Sequence, residues 1–408
     1  MGTAQQLSFE AGSVFTPGSP INERDLFAGR LDQAEQITRA ISQRGYHAVL
    51  FGERGVGKTS LSNVLADFLK GSGKMFLVSR VNCDAGDNFT SLWRKAFQDI
   101  VITKSKPGIG FTANDIEITH SIVDTLPDTI TPDHVRRTLS ELSKNIVLVV
   151  VFDEIDRLQD KRITLVMSDT IKGLSDYAVP TTIVLIGVAD SVDELIQGHQ
   201  SIERALVQVP MPRMSDREVK EIVLKGLSRL QMEIETDSLD EIVALSQGLP
   251  YITHLLSLHT SRAALESGHT RITYLHVAAG IERSLDQWQQ SIKAAYYNAT
   301  KSPQPGNIYK EVLLACALAL VDDLRFFTAA SVRRPLSLIT GRTYEIPNFA
   351  KHLKDFSEPA RGQILSRTGE KRRQRYRFSS PIMRPYIIMR GVKDKLLKRE
   401  VLKEIMSE

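Results

Sequence analysis

Residues Gly52-Glu53-Arg54-Gly55-Val56-Gly57-Lys58-Thr59 fit the pattern G-x-x-x-x-G-K-[ST], and their flanks constrain the fold more than any other segment. Tyr46-His47-Ala48-Val49-Leu50-Phe51, just before the pattern, reads as a buried strand. Ser60 to Lys70, just after it, reads as a helix stopped by Gly71. Strand, glycine loop and helix in this order make a cradle for phosphate. The glycines let the backbone turn tightly and aim successive N–H groups at one anion. The start of the helix, including Ser60, adds a dipole of the same sense. Lys58 then reaches the terminal phosphates and the Thr59 hydroxyl ligates Mg²⁺. A chain with this loop is expected to bind a nucleoside triphosphate.

A second segment extends that chemistry. Val147-Leu148-Val149-Val150-Val151-Phe152 is a continuous apolar run that ends in Asp153-Glu154. Such a run marks a central parallel strand, and open parallel sheets bind ligands at the carboxyl ends of their strands. Asp153 is the candidate for Mg²⁺, directly or through water, and Glu154 the candidate for orienting the attacking water. Alone, an apolar run ending in two acids is an ordinary strand meeting solvent. Downstream of a phosphate loop it predicts hydrolysis, because phosphoryl transfer needs positioning and charge neutralisation more than covalent help.

The rest of the chain alternates, then changes character. Leu31 to Arg44 reads as a helix, Met75–Val81 as a strand, Asn88 to Thr103 as a helix, and Pro107-Gly108-Ile109-Gly110 as the start of a long insert. A helix opens at Thr131-Pro132-Asp133, and further strands follow at Thr181–Val188 and Leu206–Val209. Strands alternating with helices imply a parallel sheet covered on both faces. After Pro210 the strand signal stops. Ser215-Asp216-Arg217-Glu218 is a capping box, and helical patterns run over about 238–247, 251–267 and 273–298. Ser302-Pro303-Gln304-Pro305-Gly306 is a linker signal. Three helices then precede a hairpin from Gln363 to Phe378, the order of a winged helix. The expected domains are an N-terminal loose arm (1–20), an α/β core (21–210), a helical lid (211–300) and a winged-helix domain (301–408).

Charge is unevenly placed. Residues 361–400 hold thirteen Lys or Arg against three acids in a chain whose formal net charge is only +4. That asymmetry points to an anionic partner, most often nucleic acid, or else to a solvated basic face. Arg367, Lys371, Arg372, Arg373, Arg375 and Arg377 are the candidate phosphate contacts, with Arg361 beside them. Alternation at Arg373, Arg375 and Arg377 puts them on one strand face, with Tyr376 and Phe378 on the other. The Tyr344–Phe356 stretch would supply a recognition-type helix with Lys351, His352 and Lys354 exposed. Winged helices also serve as protein–protein modules. The two cysteines, Cys83 and Cys316, follow no metal or redox spacing and fit buried thiols in a reducing compartment. The N-terminus shows no leader pattern, and the longest apolar run, Val312 to Val321, falls short of the roughly 20 residues a membrane span needs. A cytoplasmic protein without a membrane partner is expected.

Taken together these residues resemble the AAA+ ATPases, on the side close to the origin-recognition-type replication initiators and the STAND signalling ATPases. The likeness covers about 21–390. It implies an α/β P-loop NTPase sheet of AAA+ type, a small helical lid and a winged-helix domain. It also implies adenine rather than guanine, in keeping with the lack of an Asn-Lys-x-Asp motif. Leu26-Phe27-Ala28-Gly29-Arg30, with Glu35 after it, looks like the segment that those families pack beside the adenine, which makes Ala28 and Arg30 nucleotide candidates. Asp190, ending Leu185-Ile186-Gly187-Val188-Ala189-Asp190, fills the position of a sensor residue where the family usually has Asn, Thr or Ser. An ionised carboxylate only accepts hydrogen bonds, so Asp190 serves either to hold water or a basic partner, or as the N-cap of a helix at Ser191–Ile196. Arg204, in Ser201-Ile202-Glu203-Arg204, matches the place of an arginine finger reaching a neighbouring subunit's phosphates; a surface or intrachain ion pair is the alternative, and Arg213 and Arg157 are fallback candidates. Gly248-Leu249-Pro250 looks like the Gly-x-Pro of STAND helical domains, whose proline abuts the nucleotide; it equally suits a helix stop and the next helix's first turn. Arg262 lies late on that helix for a second sensor arginine.

Two functions follow from the resemblance. One is an ATP-hydrolysing switch or motor that oligomerises with ATP and acts on duplex DNA in replication, transposition or defence. The other is a STAND-like signalling switch that regulates a partner protein through its C-terminal domain with little turnover. A scaffold for a partner enzyme is a third, since the chain shows no nuclease, protease or metal-hydrolase motif.

Overall fold

The computed structural model describes residues 3–21, 27–69, 75–98, 100–106, 116–144, 146–196, 202–370 and 373–406. It divides into two compact units, Ile21–Pro212 and Met1–Pro20 with Arg213–Glu408. Among the described residues no helix is long and apolar enough to cross a membrane.

The elements of the first unit, apart from α1 (Thr3–Val14), run α2 (Leu31–Ser42), β1 (His47–Gly52), α3 (Lys58–Leu69), β2 (Phe76–Asn82), α4 (Phe89–Gln98), β3 (Val101–Lys106), β4 (Ile116–Ser121), α5 (Pro132–Leu142), β5 (Val147–Asp153), α6 (Arg162–Asp176), β6 (Thr181–Val188), α7 (Val192–Leu195) and β7 (Leu206–Pro210). Five strands form one sheet in the order β2-β5-β6-β1-β7, and every neighbouring pair is parallel. β5 and β6 are buried along almost their whole length, which is why both read as unbroken apolar runs rather than alternations. Trp93 of α4 packs its ring edge-on against Phe152 at 5.2 Å and lies 5.5 Å from Phe97, anchoring one helical layer on β5. Register brings the functional ends together: Gly52 stands opposite Val188 on β6, and Asn82 opposite Asp153 on β5.

One boundary differs from the sequence reading. α4 stops at Gln98, and Val101–Lys106 pairs antiparallel with Ile116–Ser121 instead of extending the helix to Thr103. The β-branched run Val101-Ile102-Thr103 favours strand over helix. The expected insert at Pro107–Gly110 lies outside the described residues.

The second unit holds α1 and then α8 (Asp216–Arg229), β8 (Glu233–Ile234), α9 (Thr236–Ser246), α10 (Pro250–Glu266), β9 (Arg271–Ile272), α11 (Tyr274–Gln287), α12 (Gln290–Thr300), α13 (Tyr309–Leu318), β10 (Phe327–Thr328), α14 (Ala329–Thr340), α15 (Ile346–Phe356), β11 (Leu365–Thr368), β12 (Arg375–Phe378), α16 (Met383–Lys393) and α17 (Arg399–Met406). The Ser215–Glu218 capping box starts α8 as read from sequence. The helical pattern over 273–298 breaks into α11 and α12, because Trp288 takes an extended conformation between them. Two-residue strands β8 and β9 pair in parallel within the helical part, which carried no strand signal in sequence. The first residues are not a loose arm: α1 is a helix against α10, and Phe15 after it is fully buried beside Gly226 and His254. Ala11, Val14 and Phe15 supply the apolar anchor that holds it.

Helices α13, α14 and α15, with β10 between the first two and the hairpin β11-β12 after the third, give the winged-helix-like order, and the three strands form an antiparallel sheet in the order β10-β12-β11. Trp288 and Tyr386 rings 5.0 Å apart tie α16 to the helices before residue 300. Both cysteines are buried and unpaired, and burial pushes the Cys83 thiol up to about 12, out of the reactive range.

Candidate active site

The phosphate-loop segment leaves β1 through a glycine that nothing else could replace. Gly52 has φ of 150°, and a Cβ there would sit 2.4 Å from the Met211 carbonyl oxygen on the chain just past β7. Gly55 and Gly57 take φ of 87° and 96°, the left-handed turns the loop requires. Val56 is fully buried, while Arg54 and Gly55 stand exposed at the tip. Helical bonding begins with the Leu61 N–H to the Gly57 carbonyl at 3.0 Å, so the amides before it have no intrahelical acceptor.

Arg30 holds this loop from beneath. It is buried, in a left-handed conformation, and its guanidinium donates to the Val56 carbonyl at 3.0 Å and the Pro212 carbonyl at 2.6 Å. Ala28 is buried beside it; Leu26, the start of that segment, lies outside the described residues. The Ser60 hydroxyl accepts the Ile21 N–H at 3.1 Å. Nothing in the sequence signals this contact of Arg30, because its partners are main-chain oxygens.

Lys58 folds back along its own loop. Its ammonium donates to the Gly52 carbonyl at 2.9 Å and the Glu53 carbonyl at 2.8 Å. Burial draws its pKa down to about 8, against the opposing pull of Asp156, Asp153 and Glu53. The Thr59 hydroxyl stands near enough to the Asp153 carboxylate to favour its charged form, so the loop and the end of β5 meet. Burial raises Asp153 above the usual carboxylate range, and the nearby Thr59 hydroxyl and the bond from the Glu154 amide (2.8 Å) act against that rise. Glu154 follows at φ of 58° with its carboxylate half-exposed, and Arg157 donates to it at 2.8 Å.

Asp156 is a residue the sequence reading passed over. Its carboxylate accepts the Val188 N–H at 2.8 Å, joining the turn after β5 to the end of β6, and its charge favours the protonated Lys58 ammonium. The spacing of acids in Asp153-Glu154-Ile155-Asp156 was the available signal.

The other candidates fall as follows. Asp190 is exposed beyond β6, and its N–H donates to Glu194 at 2.8 Å. Asp190 does not cap a helix at Ser191–Ile196: α7 spans Val192–Leu195 and the N-cap residue is Ser191. Arg204 sits exposed in the turn Glu203–Ala205 and makes no ion pair or side-chain hydrogen bond among the described residues; Ser201 lies outside them. Arg157 is engaged with Glu154.

In the second unit, Pro250 occupies the first turn of α10, and Gly248 before it has φ of 70° with Met214 O only 2.5 Å from where a Cβ would stand. Arg213 donates to the Gln247 carbonyl at 3.1 Å. Arg262 donates to Ser8 of α1. In the hairpin, Arg367 and Arg373 are exposed, while Lys371 and Arg372 lie outside the described residues. Arg373, Arg375 and Arg377 do alternate with the buried Tyr376. Arg375, however, pairs with Asp322 at 3.0 Å and lies over the Phe326 ring, and Arg377 lies 4.8 Å over the same ring. Lys351 and Lys354 are exposed on α15, whereas His352 is half-buried against Tyr309 with ring centroids 4.5 Å apart.

The comparisons with known proteins agree with this architecture. A family model described as Novel STAND NTPase 1 matches residues 20–323. The chain is similar in fold to a Walker-type ATPase of Pyrococcus abyssi, with a TM-score of 0.53 and 14% identity over 92% of this chain and 99% of that one. It is also similar to the ORC2 protein of Aeropyrum pernix, solved as ADPNP and ADP complexes, with a TM-score of 0.51 and 14% identity over 97% and 98%. Among curated proteins none matches this chain in sequence.

Proposed function

This chain belongs to the novel STAND NTPase 1 family, and on that premise we propose that it binds and hydrolyses ATP as a switch of AAA+ type. The observation that carries the proposal is the junction of Thr59, Lys58 and Asp153 at the carboxyl ends of β1 and β5. A hydroxyl and a carboxylate brought close together are hard oxygen donors, the set that suits Mg²⁺. Bound there, Mg²⁺ would neutralise charge on the terminal phosphate oxygens. Gly52, Glu53, Arg54, Gly55, Val56, Gly57 and Ser60 supply the main-chain cradle, with Ala28 and Arg30 behind it. Lys58 exchanges its two carbonyl acceptors for phosphate oxygens, and Glu154 accepts a proton from the water it orients.

Residues 211–300 act in this reading as a lid carrying Pro250, and 301–408 as the winged-helix effector domain. Arg204, exposed and without an ion pair among the described residues, serves a neighbouring subunit in a homo-oligomer. Arg367, Arg373, Lys351 and Lys354 offer phosphate contacts to duplex DNA. The place proposed for this work is the cytoplasm.

A second reading is favoured by one observation: Arg375 and Arg377 are engaged with Asp322 and Phe326. With two arginines of the wing held internally, the C-terminal domain suits contact with a partner protein, as in a signalling switch. ATPase rate and sedimentation, measured with and without duplex DNA on wild type and Lys58→Ala, separate the two. Stimulation by DNA that fades with salt supports action on DNA. Slow, DNA-independent turnover with retained ADP supports the signalling switch.

The buried lysine makes nucleotide affinity sensitive to pH. Triphosphate binding favours the charged ammonium, and a pKa of about 8 means that this charge is lost as pH rises through 8. ATP affinity is expected to fall about tenfold between pH 7 and pH 9. Equilibrium titration with a fluorescent ATP analogue checks this; a flat profile over that range would contradict the shifted lysine.

A further inference from the structure

Resting on the reading of residues 211–300 as a nucleotide lid, we infer that α1 and the residues after it form a strap that tethers the helical unit to the phosphate loop. The chain passes between the two units twice, at Pro20–Ile21 and at Pro212–Arg213. The first passage is anchored at both ends. In the first unit, Ile21 is buried and its N–H donates at 3.1 Å to the hydroxyl of Ser60, in the first turn of α3. In the second unit, Phe15 directly follows α1 and is fully buried, its ring edge-on to His254 with centroids 6.0 Å apart. Only residues 16–20 lie between the anchors. Fully extended, the stretch from Phe15 to Ile21 reaches about 20 Å. It is shorter than that, because the Ser19 N–H turns back to the Thr16 carbonyl at 3.3 Å. Pro17 and Pro20 stiffen it further.

The docking of α1 is built into the helices that meet there. Glycine weakens a helix interior, yet α8 carries Gly226 in its apolar, buried face. A Cβ at Gly226 would collide with the Phe15 ring, so the missing side chain is the notch that admits Phe15. Gly12 does the same within α1: a Cβ there would stand 2.9 Å from the Arg262 guanidinium of α10. Arg262 also donates to the Ser8 carbonyl at 3.3 Å. Residues 8 and 15 thus meet 262 and 254, so α1 runs antiparallel to α10. A loosely attached arm would require neither glycine. A helix as short as α1 is marginal alone in water, so it persists through this docking and is lost with it. Docked, the strap limits how far the lid can travel from the phosphate loop. Undocked, the passage at Pro212–Arg213 alone joins the units, and nucleotide leaves faster.

The test is hydrogen exchange over residues 3–15 together with the release rate of a fluorescent ADP, on the full chain as wild type, Phe15→Ala, Gly226→Ala, their double variant and Phe9→Ala. Phe15→Ala and Gly226→Ala are each expected to speed exchange in α1 by about tenfold or more and ADP release by about fivefold or more. The double variant should match the single ones in both, since all three lose the same contact. In the Phe15→Ala background, Gly226→Ala should raise the melting temperature by about 1–3 °C, because alanine then improves α8 without a collision. Phe9 is exposed on the same helix, so Phe9→Ala should behave as wild type. If exchange speeds up while ADP release keeps its wild-type rate, the strap is overturned and the reading of the phosphate loop stands. If Gly226→Ala leaves α1 protected, the notch does not hold the strap and the inference falls in the same way. If the wild type holds no ADP, the reading of the loop fails and the strap fails with it.

Discussion

Replacing Glu154 with glutamine is expected to lower kcat for ATP hydrolysis by about 100-fold or more while ATP and ADP bind within about twofold of wild type. Glutamine preserves the size of the side chain and its ability to accept a hydrogen bond, but not the negative charge that draws a proton from water. The backbone of the turn is held by bonds that the substitution leaves in place, from the Glu154 N–H to Asp153 and from the Arg157 N–H to the Glu154 carbonyl. Loss of turnover would then report chemistry rather than folding. The carboxylate is half-exposed, so glutamine meets no buried cavity. Quenched-flow measurement of phosphate release, paired with equilibrium nucleotide binding, separates the two parameters. An equal loss in both would mean that Glu154 helps to hold the nucleotide rather than to activate water.

Lys58→Ala acts on the other half of the site. The ammonium is buried and faces Asp153 and Asp156 across the loop. Removing it takes away the principal positive charge near the triphosphate and leaves those two acids unopposed by it. Losing one partner of a buried charge pair costs about 2–5 kcal/mol, so ATP affinity is expected to fall by about 100-fold, near 2.7 kcal/mol. The loop should keep its shape, because Arg30 holds the Val56 carbonyl and Gly52 is set by the approach of Met211. The variant should therefore fold and still fail to bind.

The phosphate loop and the five parallel strands were legible because their signals are local. Glycines at fixed positions and unbroken β-branched runs carry their own explanation. What joins them was not legible. Arg30 reaches the carbonyl of Val56, 26 residues away, and a main-chain oxygen leaves no trace in a sequence. The bond from Asp156 to the Val188 N–H is of the same kind. The Arg157–Glu154 pair has a helical spacing visible in sequence, but its contact depends on rotamers. In the C-terminal hairpin the alternation of Arg373, Arg375 and Arg377 was readable, while the capture of Arg375 by Asp322, 53 residues away, was not. The helix at Thr3–Val14 escaped for a related reason: small polar residues surround the few apolar anchors, so only the packing of Phe15 reveals why it forms.

The claim beneath all of this is that the loop at 52–59 and the acid at 153 together hold a metal-bound triphosphate. Calorimetric titration of ATP into wild type and Lys58→Ala, with and without Mg²⁺, tests it most directly. The account predicts one site per chain in wild type, affinity that drops sharply without Mg²⁺, and about a 100-fold loss in Lys58→Ala. Equal affinity in the two proteins, or binding indifferent to Mg²⁺, would contradict it.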